Sequence, residues 1–135
     1  MNLGLSTTLH TSFDDACTRN ALSQQGFGVL TEIDMRATLE TELGETMEDY
    51  LILGACNPPL AHQAVGIDRQ IGLLLPCNVI VRRDPTSDKG IIVGAMNPQL
   101  MVQVTDEPAL QPIAAQASAK LRPAIDSLDH TASAY

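Results

Sequence analysis

The chain has 135 residues, 44% of them hydrophobic but only 3% aromatic, no Trp, and a formal net charge of −8. This length suits one domain with its own core, built from Leu, Ile, Val, Ala and Met. Eight Lys and Arg against sixteen Asp and Glu argue against a nucleic-acid partner, whose phosphates demand clustered cations, and equally against a basic membrane-surface helix.

No apolar run reaches the length a bilayer span needs, and Met1–Thr7 lacks the charged and long apolar regions of a signal peptide. Cys17, Cys56 and Cys77 are an odd set without framework spacing, so the expectation is a reducing, cytoplasmic setting.

Leu3–Leu9 reads as a first strand. Thr11-Ser12 followed by Asp15 resembles a capping box, opening a helix with Phe13, Ala16, Cys17, Ala21 and Leu22 at helical spacing and Gly26 at its end. On this pattern Cys17 is a core residue. Phe27–Ile33 is a second strand, with Phe27, Val29, Thr31 and Ile33 on one face. Asp34 caps a second helix carrying Met35, Leu39 and Leu43, which Gly44 stops, and Glu45–Asp49 is an acidic loop.

A strand at Tyr50–Cys56 then leads to a helix near Pro58–Ile67. Leu73–Cys77 enters a strand that ends near Arg83, and the turn formers Pro85–Gly90 make a hairpin to an antiparallel partner, Ile91–Met96. A short helix is expected over Pro98–Val104. Glu107–Leu128 is helical in pattern but interrupted by Pro112 and Pro123, so the expectation is a helix starting near Pro108 or Pro112 and kinking or stopping near Arg122. Residues 3–128 then form a single domain, with 129–135 a disordered tail. Helices on one side of a mostly antiparallel sheet, a two-layer α+β fold, accommodate this order of elements.

One corner is written twice. Leu51-Ile52-Leu53-Gly54-Ala55-Cys56-Asn57-Pro58 is echoed by Ile91-Ile92-Val93-Gly94-Ala95-Met96-Asn97-Pro98. In each, an apolar strand ends in Asn-Pro, where Asn suits an N-cap and Pro the first helical position. Only the first copy carries a thiol.

Gly26–Asp34, Ile52–Pro58 and Leu73–Val79, in this order and spacing, resemble the DUF302 family over roughly residues 3–125. The resemblance implies a two-layer α+β fold similar to the TATA-binding-protein-like group, and a homodimer. It implies no activity, since the family is uncharacterised.

Cys56 precedes a helix N-terminus, a place that favours thiolate; Met96 at the equivalent position favours a purely structural role. If their strands are neighbours, Cys56 and Cys77 approach each other, and His62 would add an imidazole to a partial zinc or copper set completed by Glu32, Asp34 or a partner subunit. The leading expectation is therefore a small homodimer binding a small ligand or soft metal through Cys56, Asn57, Cys77, Asn78 and Glu32. The alternatives are a thiol enzyme with Cys56 as redox or acyl-transfer nucleophile assisted by His62, and a partner-binding module with no small-molecule site. Glu32 and Asp34 point to the same side of their strand; the simpler reading has Asp34 capping a helix and Glu32 solvated. Gly26-x-Gly28 precedes a strand, the wrong place for a nucleotide fingerprint, and no EF-hand spacing exists.

Overall fold

Five antiparallel strands form one sheet in the computed structural model, which describes residues 3–10, 13–86 and 90–133. They are β1 (Gly4–His10), β2 (Gly28–Asp34), β3 (Tyr50–Cys56), β4 (Cys77–Arg83) and β5 (Gly90–Met96), in the spatial order β1-β5-β4-β3-β2. The helices are α1 (Ala16–Gln24), α2 (Met35–Leu43), α3 (Pro58–Ile67), α4 (Leu100–Thr105) and α5 (Gln111–Ser133), with 3-10 turns at Arg69–Leu74 and Pro108–Leu110. The fold is α+β, as expected.

The strand period of two sorts the side chains. Leu9, Leu53, Ala55, Val79, Val81, Ile91, Val93 and Ala95 turn to one face and are buried. There they meet Leu22 of α1 and Leu121, Ile125 and Leu128 of α5. A second cluster lies among α3, α4 and the start of α5, where Leu60, Ile71, Met101, Leu110 and Ile113 pack. The other sheet face carries no helix among the described residues, and Ile52, Ile80, Ile92 and Met96 on it are only partly buried.

Chain punctuation matches the sequence closely at two helix ends. Gly26, at φ 83°, donates to the Ser23 carbonyl while Phe27 donates to that of Leu22; these paired bonds define a Schellman stop. Asp34 accepts from the Ala37 N–H at 2.9 Å and caps α2, which Gly44 ends at φ 68°. Thr11 and Ser12 lie outside the described residues; Asp15 is the α1 N-cap but makes no side-chain capping bond.

Several expectations need correction. Cys17 is exposed, not core. The buried stripe of α1 runs through Thr18, Ala21 and Leu22, and Cys17 sits about 100° round the helix from Thr18. A bulge between Val29 and Thr31 divides the β2 face read from the sequence. Val29 pairs with Ala55 on the helix-covered side, whereas Thr31 and Ile33 pair with Gly54 and Ile52 on the open side. Helix α4 starts two residues later than expected, and the 3-10 turn at Arg69–Leu74 was not anticipated. Most clearly, α5 does not stop near Arg122: it continues through Pro123 to Ser133, and 129–133, read as tail, are helical backbone. Residues 134–135 lie outside the described residues.

The β2–α2 flank is thinly covered. α2 has no buried residue, and Leu30, Ile33 and Leu43 are 67%, 46% and 68% exposed. Asp49, in the acidic loop, ties this flank to the sheet by accepting from Arg36 at 2.7 Å and pairing with Arg83 at 3.7 Å.

Candidate functional site

Both repeated corners lie at the same end of the sheet, because β3 and β5 each run antiparallel to β4 between them. Locally they differ. Asn57 caps α3 through Oδ1, which accepts from the Leu60 N–H at 3.3 Å, and Pro58 and Pro59 fill the first turn where N–H groups have no helical acceptor. Asn97 instead accepts from the Gln99 N–H at 3.0 Å. The chain then turns through Leu100 N–H to Asn97 carbonyl and Met101 N–H to Pro98 carbonyl bonds, a tighter 3-10 entry to a short helix.

The first corner encloses a cavity with about 30 Å³ of free space, lined by Cys56, Asn57, Cys77, Met101, Phe27 and Ile113 among others. Such a volume holds about one water or one ion. It is far below the several hundred Å³ that a small organic ligand occupies. Ala55 pairs with Cys77 across β3 and β4, which makes Cys56 its diagonal neighbour and brings the two thiols to one cavity as the sequence suggested. Cys77 is 8% exposed and Cys56 partly buried. Asn57 is buried, and its Nδ2 lies against Gly26, where an added Cβ would stand 3.1 Å away. The Schellman corner thus abuts the cap of α3.

Other expected site residues lie elsewhere. His62 is exposed and does not line the cavity. α3 buries Leu60 and Ala64, and position 62 is about 200° from Leu60, on the solvent side. Asn78 alternates to the open sheet face. Glu32 stands on β2 and accepts from Arg19 Nη2 at 3.1 Å. With Asp34 committed to its cap, the two carboxylates have separate structural tasks, and no acid–base pair forms. Among the described residues, no three of His, Cys, Asp and Glu gather as a metal-binding group. The residue that sequence reading missed is Met101, a soft sulfur that is 3% exposed and lines the same cavity; its only signal was a place three residues beyond the second Asn-Pro pair.

Burial, and then the neighbouring Cys56, push the Cys77 thiol up from 9.0 to about 11. The protonated form is therefore the one the fold favours. The unfolded thiol ionises near its ordinary value while the folded one holds its proton, so the stabilisation is complete below pH 9.0 and is lost as pH rises to about 11. Two pH units correspond to about 3 kcal/mol. Urea melts from about pH 8 to about pH 11 should show a loss of this order that Cys77→Ala removes. An equal loss in the variant would assign it to other groups.

The DUF302 family model, described as a domain of unknown function, matches residues 5–128. The chain belongs to the DUF302 family. A search of curated proteins finds no match. Among solved structures, this DUF302 chain is similar to the crystal structure of an uncharacterized conserved DUF302 protein from Bacillus stearothermophilus. The likeness has a TM-score of 0.83 at 24% identity and covers 93% of this chain and 98% of that one. It extends to the whole fold, helices on one face of the sheet included. No helix among the described residues is long and apolar enough to cross a membrane.

Proposed function

We propose that this DUF302 domain is a homodimeric binding module that takes one soft metal ion, of the Cu(I) type, between Cys56, Cys77 and Met101. The observation that carries this reading is three sulfur side chains lining one ion-sized cavity. Thiolate and thioether donors select Cu(I), whereas zinc sites ordinarily use four nitrogen, sulfur or oxygen ligands. Binding must displace the Cys77 proton, so affinity rises with pH. The thiol-enzyme alternative is less well supported, because among the described residues no His, Asp, Glu or Lys lines the cavity to activate Cys56. The second copy is proposed to cover the exposed β2–α2 flank, where Leu30, Ile33 and Leu43 stand unpacked.

Anaerobic Cu(I) titration against a competing chelator, read by native mass spectrometry, tests both parts. The expected result is a two-chain mass with one ion per chain. Cys77→Ser abolishes uptake, Met101→Leu weakens it, and Leu43→Asp releases single chains that still load metal. Uptake undiminished in the Cys56→Ser, Cys77→Ser double variant would overturn the metal site. A wild-type single-chain mass would overturn the dimer.

A further inference from the structure

A concavity larger than the one at the thiol corner exists elsewhere in the molecule. It lies on the uncovered sheet face, over β1, β5 and β4, with a volume near 550 Å³. That is within the roughly 300–1,000 Å³ range of small-molecule sites. Two glycines make the trough. Gly4 and Gly94 present no side chain on this face, and Gly94 pairs with Ser6 on β1, so the floor drops between the Ile80 and Ile92 ridges. At one end, Met96 and Leu100 give an apolar wall. At the other stands Arg82, flanked in register by Ile92 and Tyr50.

The charge on this surface is unlike that of the chain. Among the described residues, no carboxylate lines the trough. Among the described residues, Arg82 is the one cation lining it, and it makes no ion pair there. Asp84, whose carboxylate feels the charge of Arg82, accepts from both the N–H and the Oγ1 of Thr86 at 2.8 and 2.7 Å. A guanidinium at the end of an apolar trough, with the Asn78 amide and Ser6 hydroxyl along it, is a recognition pattern for one anionic head on an apolar tail. Arg82 to Asn78 is four residues along β4, about 13 Å at strand rise, which sets the scale of the tail.

We infer that this trough binds a small amphipathic carboxylate, its head on Arg82 and its chain lying over Gly94 toward Met96 and Leu100. The inference does not depend on the metal site, which opens on the opposite side of the sheet end.

Octanoate is the probe, with octanol and octylamine as controls of equal tail, followed by amide NMR shifts and calorimetry on the wild-type protein. Saturable binding of one octanoate per chain is expected, with shifts confined to β1, β4 and β5. Octanol should bind about tenfold more weakly, as should octanoate to Arg82→Gln, and Arg82→Lys should recover part of the loss. Gly94→Val, which fills the floor, should also abolish binding while the Arg82→Gln fold stays intact by circular dichroism. Equal affinity for octanol, no effect of Arg82→Gln, or no saturation would overturn the proposal. So would ligand-free, concentration-dependent shifts on this face, which would assign it to contact between copies.

Discussion

Pro123→Ala raises the stability of the protein by about 2 kcal/mol, an unusual sign for a substitution inside a long helix. A proline within a helix lacks the N–H that would bond four residues back, here to the Ala119 carbonyl, and its ring crowds that carbonyl, at a cost of about 3 kcal/mol. Pro123 is exposed, so its ring contributes nothing to the core that alanine would forfeit. Against the gain stands the greater freedom of the unfolded alanine chain, about 0.4–1 kcal/mol. The net, near 2 kcal/mol, corresponds to a rise in thermal midpoint of about 5–8 °C for a domain of this size. α5 tolerates the proline because its buried stripe passes straight through: Ile113, Ala117, Leu121, Ala124, Ile125 and Leu128 all face the cores. Each large member contributes about 1.5–3 kcal/mol by leaving water, so two of them outweigh the break. An unchanged or lowered midpoint in Pro123→Ala would mean that the packing of Leu121 and Ile125 requires a bend the proline supplies.

The second large effect separates the two copies of the repeat. Gly54→Ala destabilises by about 1–3 kcal/mol, the usual range for overpacking, whereas Gly94→Ala is near neutral. An alanine Cβ at position 54 would collide with the Thr31 Oγ1 and stand 2.7 Å from Cγ of Pro76. The hydroxyl is able to rotate away; the proline ring is not. At position 94 the same Cβ would meet Cγ1 and Cδ1 of Ile80 at 3.4 and 3.7 Å and the Leu5 carbonyl oxygen at 3.8 Å, all ordinary contacts. Urea unfolding of the two variants side by side is the measurement. Gly54→Ala with Thr31→Ala should recover part of the loss, since the ring of Pro76 remains. Equal costs at the two positions would show that strand propensity, not the local neighbours, governs both glycines.

Gly54 and Gly94 look interchangeable in the sequence because each follows three apolar residues and precedes alanine. They differ because of what crosses them. β2 and the approach to β4 bring Thr31 and Pro76 hard against the first, while Ile80 of β4 and the Leu5 carbonyl of β1 stand at ordinary contact distance from the second. The candidate site divides in the same way. Cys56 and Cys77 were expected to meet only if their strands were neighbours, and the pairing of β3 with β4 meets that condition, since the end of one strand and the start of its neighbour share a sheet end. His62, Glu32 and Asn78 were misplaced because a residue near in sequence can face away: His62 by helix phase, Asn78 by strand alternation, and Glu32 by distance across β2. Met101 carried little local signal beyond its place after the second Asn-Pro pair, and Arg82 none, because each acquires meaning from residues on other elements.

Local chemistry, acting over a few bonds, was enough for this chain to specify its five strands, the caps at Asp34 and Asn57, the stops at Gly26 and Gly44, and the family to which it belongs. Capping bonds, positive-φ turns and apolar periodicity are short-range and leave their residues side by side. Long-range packing settled the rest. It exposed Cys17, split the face of β2 at a bulge, carried α5 past Pro123, and left one sheet face without a helix among the described residues, with Arg82 on it. These outcomes depend on apolar area shared between elements far apart in the chain, and a strand or helix read alone holds no record of which neighbour will cover it.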